Sequence, residues 1–159
     1  MKPTSMPPGE IDRHLRRMRT TTAVFLITVA AAAAVILWLP ARDSAISPVA
    51  VTLVAGCAAL WVGFTANRDA QARLDRIKRA FAATGDERRL LRDHRLVNLA
   101  VLARLEAMVV ASVVAAVWGT SRAAAWGVLA LAALMMGLSW PTAEKTHRLL
   151  ARAREQRGH

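Results

Sequence analysis

Four apolar runs dominate the sequence and limit what it can fold into. Ala23–Leu39 is apolar except for Thr28, and Val49–Ala66 carries only Thr52 and Thr65 as hydroxyls, with Gly56 and Gly63 as small breaks. Leu99–Trp118 is interrupted by Arg104, Glu106 and Ser112, and Ala123–Trp140 has Ser139 as its one hydroxyl. A hydrocarbon core of ~30 Å takes ~20 residues of helix at ~1.5 Å each. Tilt and flanking residues extend the two shorter kinds of run. Inside lipid such segments must be helices, because no water satisfies an open backbone. The sequence therefore predicts an all-α membrane protein with four transmembrane helices. The five Trp agree with the ends of these spans, where the ring is buried and the N–H is wet. Trp38, Trp118 and Trp126 lie toward the short loops and Trp61 and Trp140 toward the opposite side; the alternative for some of them is packing between helices, with Trp61 its first candidate.

The loops set the orientation. Nineteen loop cations fall on one side of the four spans and two, Arg42 and Arg122, on the other. The positive-inside rule then places both termini and the Asn67–Asn98 connector in the cytoplasm of a multi-pass inner-membrane protein. The net charge of +11 thus belongs to topology, and nucleic acid is not expected as a partner. No aromatic residues interleave the cations to stack bases. Arg16, Arg17, Arg19, Arg95 and Arg148 are candidate contacts to anionic lipid headgroups, each cation contributing ~1 kcal/mol near the surface. Residues 1–12, with Pro3, Pro7, Pro8 and Gly9, read as a disordered start. The first apolar run reads as an anchor, not a cleaved signal.

The two halves share a pattern. Ala58–Thr65 and Ala132–Ser139 agree by identity or like-for-like exchange at six of eight positions, 74 residues apart. Asp69, Arg73 and Leu74 match Glu144, Arg148 and Leu149 at 75, and His14 and Trp38 match His94 and Trp118 at 80. The chain reads as a tandem, parallel repeat of a two-helix unit, residues 13–83 and 84–159. Halves of this kind are related by an axis along the membrane normal. The shared pattern sets Ala59 four residues from Gly63 and Ala133 four from Gly137, a spacing that lets helix backbones approach in lipid.

Between spans two and three the connector reads as a cytoplasmic helical hairpin. Its first arm, 67–83, would rise ~25 Å from the membrane. Leu74, Ile77, Phe81, Leu90, Leu91 and Val97 form the stripe that closes the arms. Asp69–Arg73 and Asp75–Arg79 are acid-before-base pairs at i,i+4. Thr84-Gly85 marks the turn, and Asp86 and Glu87 suit the start of the returning helix. A tail helix is expected from Pro141, with Leu149 and Leu150 available for docking.

Arg104 and Glu106 are the charges within a span. On helix rise they lie ~21 and ~18 Å inward from Trp118. Two positions apart, they point to nearly opposite helix faces and do not pair with each other. Arg104 can reach the headgroups; Glu106 is expected to face protein or a watery cavity. Its counterpart in the first half, 80 residues earlier, is Leu26.

Enzymatic chemistry finds little support. A thiol-redox site needs two cysteines and Cys57 is alone. Haem in the membrane would need His inside a span, but His14, His94, His147 and His159 lie outside all four. Asp93-His94 alone is a weak metal signal, and no phosphate loop or Ser/His/Asp constellation is present. No cofactor or metal is expected. The expected function is non-enzymatic association of helices in the bilayer, as an accessory subunit of a membrane complex or a self-assembling four-helix bundle. Its partners would be lipid and a second copy or another membrane protein. The alternative is a homo-oligomeric ion channel or small transporter using Glu106 and Arg104; a membrane enzyme ranks third.

Overall fold

The computed structural model describes residues 8–39, 48–117 and 122–158. Trp118, His159 and the two short interhelical loops, with Arg42, lie outside the described residues. Among those described, the chain is entirely helical: α1 (Pro8–Trp38), α2 (Pro48–Thr84), α3 (Glu87–Val117), α4 (Arg122–Leu138) and α5 (Ala143–Gly158).

Two helices are long and apolar enough to cross a membrane, Gly9–Trp38 and Glu87–Val117. Arg122–Leu138 and Ala143–Glu155 together form a third candidate, bent by 59° at the break between them. The Val49–Ala66 run is helical throughout within the 37-residue α2, the longest element. At ~1.5 Å per residue that helix is far longer than the hydrocarbon layer is thick, so it projects beyond any span it contributes.

Local chemistry explains the ends. Asp86 caps α3, its Oδ1 accepting the Arg89 N–H at 3.0 Å. Gly85, at φ 68°, takes the left-handed conformation that ends α2, and its N–H donates to the Phe81 carbonyl at 2.7 Å. Thr142 caps α5 by accepting the Lys145 N–H, so that helix starts at Ala143 rather than Pro141. The Lys145 ammonium reaches back to the Leu138 and Trp140 carbonyls at 2.9 and 3.1 Å, satisfying the end of α4.

The start of α1 corrects the expectation of disorder through residue 12. Helix begins at Pro8, which has no N–H to lose in a first turn. Glu10 then pairs with Arg88 at 2.9 Å, and Ile11 packs against the core at that end. These contacts to α3 give order to a segment that looks unstructured when read locally.

α3 and α4 pack on each other, and each packs on both α1 and α2. α1 and α2, although consecutive, share almost no contact among the described residues. One core lies in the apolar half, around Ile36, Leu102, Leu105, Val109, Leu129, Ala132 and Met136. A second lies at the basic end, where Phe81, Leu90 and Leu91 meet Leu150 and Ala153 of α5. Trp61 is 68% exposed, on the outward face of α2 with Leu60 and Phe64, so the alternative of packing between helices does not hold for it.

Candidate functional site

α1 and α3 run parallel and side by side, and two contacts fix their register. Glu10 meets Arg88 near one end. Five turns on, the Thr28 hydroxyl donates to Glu106 Oε2 at 2.7 Å. Both pairs are 78 residues apart. The basic approach segments are therefore held next to each other and not splayed.

Between them opens a cleft of about 420 Å³ lined by Glu10, Arg13, His14 and Arg17 of α1 and Arg88, Leu91, Arg92 and Arg95 of α3. On both helices these residues recur at i, i+3, i+4 and i+7, the spacing of one helical face. Five guanidiniums thus face a single carboxylate, and Glu10 is already engaged by Arg88. Arg92 lies 3.8 Å from Asp93, which Arg89 also approaches at 3.8 Å. No carboxylate among the described residues pairs with Arg13, Arg17 or Arg95; Arg13 donates to the Gly9 carbonyl at 3.2 Å.

His14 lies in this lining, and its ring centroid is 6.0 Å from that of His94. His14 Nε2 and His94 Nδ1 are buried without hydrogen-bond partners among the described residues. Both residues lie outside the apolar runs. Burial, and secondarily the neighbouring His14, pushes the His94 imidazole down to about 4. Burial and the Arg95 guanidinium hold His14 below its ordinary value. The pair is neutral at pH 7.

The two charges in the apolar run of α3 point to different neighbours. Glu106 turns toward α1, where the single Thr28 hydroxyl also lies 2.7 Å from the Phe25 carbonyl. Arg104 turns toward α2 and pairs with Asp69 at 2.7 Å. That contact corrects the expected Asp69–Arg73 pair, and Asp75 pairs with Lys78 at 3.2 Å in place of Arg79. A cation from another helix displaces the local i,i+4 partner of Asp69.

The small-residue positions divide. Ala59 is buried, and a Cβ at Gly63 would collide with Met135 Sδ and Cε. Ala133 is half-buried. Gly137, expected at a close helix contact, faces outward with nothing within 4 Å of a Cβ built there. The equivalent stretch of α4 is rotated so that Met135 and Met136, not Gly137, turn inward. Of the cations assigned to lipid headgroups, Arg17 and Arg95 line the cleft. Arg19 donates to the Pro141 carbonyl at 3.4 Å, Arg148 pairs with Glu144, and Arg16 is exposed.

Sequence reasoning did not anticipate the cleft, nor Glu10, Arg13, Arg88 and Arg92 as part of it. The matching spacing of 10/13/14/17 and 88/91/92/95 was the available signal. Among the described residues no group of three or more potential metal ligands comes together. No family model, curated protein or solved structure matches the chain.

Proposed function

We propose that the chain is a multi-pass protein of the inner membrane with four spans and both termini in the cytoplasm. It has no enzymatic activity of its own and works through helix–helix association, as an accessory subunit or a self-assembling bundle. The observation that carries this reading is how the apolar half treats polarity. Its inward hydroxyls are satisfied by the chain itself: Ser112 donates to the Val109 carbonyl, Thr22 to Met18 and Thr28 to Glu106. Its outward surface presents Val24, Ile27, Trp61, Phe64, Leu134 and Leu138. An interior closed on itself suits packing better than transport or catalysis.

The tandem-repeat reading draws support from His14 and His94, equivalent positions whose rings meet at 6.0 Å. An axis along the membrane normal between α1 and α3 would bring such a pair together. The equivalent helix pairs α1–α4 and α2–α3 both pack, while among the described residues α1 and α2 share almost none of the contact that α3 and α4 make. With Gly63 used inside and Gly137 turned outward, the second copy of the motif is free for a partner helix.

The test is the mass of the full chain after mild detergent extraction. Wild type should run as a stoichiometric assembly, with itself or a membrane protein. Gly137→Ile should dissociate it while the separated chain keeps its helical content by circular dichroism. A wild-type chain that is monomeric and without a partner contradicts the reading. The channel alternative has one observation in its favour, an acid and a base on opposite faces of α3; it requires conductance in planar bilayers that Glu106→Gln changes.

A further inference from the structure

The basic cleft is not explained by helix association. Cations that only mark topology need to be numerous on one side of the membrane; they need not converge. Here α1 and α3 turn matching faces toward each other, and Arg13, Arg17, Arg88, Arg92 and Arg95 line one space. Like charges brought together repel; all five side chains are exposed, so water and salt screen part of that repulsion and leave the guanidiniums open to a ligand. An anion between them removes the repulsion. Guanidinium groups bind phosphate through paired N–H donors, which is why arginine predominates where phosphate is recognised. The cleft, of about 420 Å³, is larger than one phosphate group needs and leaves room for a second or for the body that carries it.

A second observation comes from the histidine in the lining. His14 Nε2 is buried and has no hydrogen-bond partner among the described residues. That nitrogen is closed even to water, so an anion in the cleft does not reach it; other atoms of the His14 ring line the cleft and sense a charge bound there. Glu10, the one carboxylate in the lining, is paired to Arg88 and therefore opposes an anion less than a free acid would.

We propose that the cleft between α1 and α3 binds a phosphate-bearing anion of at least two charges, gripped by Arg13, Arg17, Arg92 and Arg95, with Arg88 held in place by Glu10. The anion is either the headgroup of an anionic lipid or a soluble phosphate compound. Arg17 lies six residues before the apolar run of α1 and Arg95 four before that of α3. On helix rise these are ~9 and ~6 Å, a depth open to both sources. Binding of a soluble anion stands independently of the association reading; only the lipid arm rests on the chain being in a bilayer.

The experiment uses the full chain in phosphatidylcholine nanodiscs. Inorganic pyrophosphate is titrated while melting temperature and the imidazole NMR signals of His14 are followed. A parallel set of discs contains phosphatidic acid. Saturable stabilisation by pyrophosphate, with movement of the His14 signals, supports a soluble ligand. The same response to phosphatidic acid alone supports a lipid headgroup. Arg17→Gln and Arg95→Gln should each weaken the response about ten-fold, as expected for loss of one charge-assisted contact, and the double variant should abolish it. Arg68→Gln with Arg152→Gln removes the same charge outside the cleft and should leave it unchanged. If neither probe moves the His14 signals of the wild-type chain, or if the control pair weakens binding as much as the cleft pair, the proposal is overturned. The wild-type titration holds even where a variant fails to fold.

Discussion

Two hollows of similar size differ in every chemical respect. The cleft between α1 and α3 measures about 420 Å³ and is lined by five arginines, a histidine and a glutamate. The groove between α2, α3 and α4 measures about 310 Å³ and is lined chiefly by alanines, among them Ala55, Ala58, Ala107 and Ala111. Its hydroxyl, Ser112, is already bonded to the Val109 carbonyl. Nothing in the groove orients a ligand or distinguishes one apolar occupant from another. The cleft has charge, directional donors and a histidine in its wall. Chemistry of the lining, not volume, separates a candidate site from a packing gap.

pH separates the two regions most sharply, because His14 lines the cleft and His94 lies against His14, whereas no titrating side chain lines the groove. His94 is held at about 4 in the fold against an ordinary value of 6.5, and His14 is lowered as well. A histidine depressed by folding binds more protons when unfolded, so stability rises with pH across this interval. The contribution is complete above pH 6.5 and is lost as pH falls from 6.5 toward 4. For His94 it amounts to on the order of 3 kcal/mol. Chemical unfolding in detergent at pH 7.5 and pH 5 should show about 2 kcal/mol of that loss in wild type, most of it removed in His94→Gln. Equal pH dependence in both would mean that the imidazole is not buried neutral.

Next in size is the contact beside the groove. Gly63→Ile drives a branched side chain into Met135 and should cost about 2 kcal/mol by overpacking. Gly137→Ile, which meets open space within one chain, should cost under about 0.5 kcal/mol when both variants are compared as monomers. Melting curves of the two variants read this difference directly; equal losses would mean that α4 is rotated from its described position. Smaller still, Arg92→Gln should stabilise the anion-free chain by a few tenths of a kcal/mol, because it relieves repulsion among exposed charges. The gain should shrink at high salt. Smallest is Ala111→Leu, which lengthens one wall of the groove and should shift the melting temperature by no more than about 1 °C.

The sequence revealed features that depend on neighbours along one helix. The hairpin turn was legible because Gly85 and Asp86 act on their own flanking turns. The stripe of Phe81, Leu90 and Leu91 was legible because periodicity is local. Opposite directions for Arg104 and Glu106 followed from two positions of helix rotation. Features that depend on the register between helices were not legible. Asp69 exchanges Arg73 for Arg104 only because α2 and α3 align at that height. Trp61 and Gly137 turn outward because of how their helices rotate, which small-residue spacing does not specify. The cleft needs both the matching faces of α1 and α3 and the offset of 78 that sets them side by side, and the second was not in the pattern.

The proposed topology puts the cleft on the cytoplasmic side and the groove within the membrane. Cysteine accessibility in sealed vesicles tests it most directly. With Cys57 replaced by Ser, single Arg13→Cys and Ala111→Cys variants of the full chain are exposed to a membrane-impermeant maleimide from each side. Arg13→Cys should label rapidly in inside-out vesicles and not in right-side-out ones, and Ala111→Cys should label in neither. Labelling of Ala111→Cys as fast as Arg13→Cys, or of Arg13→Cys from the outer side, would contradict it.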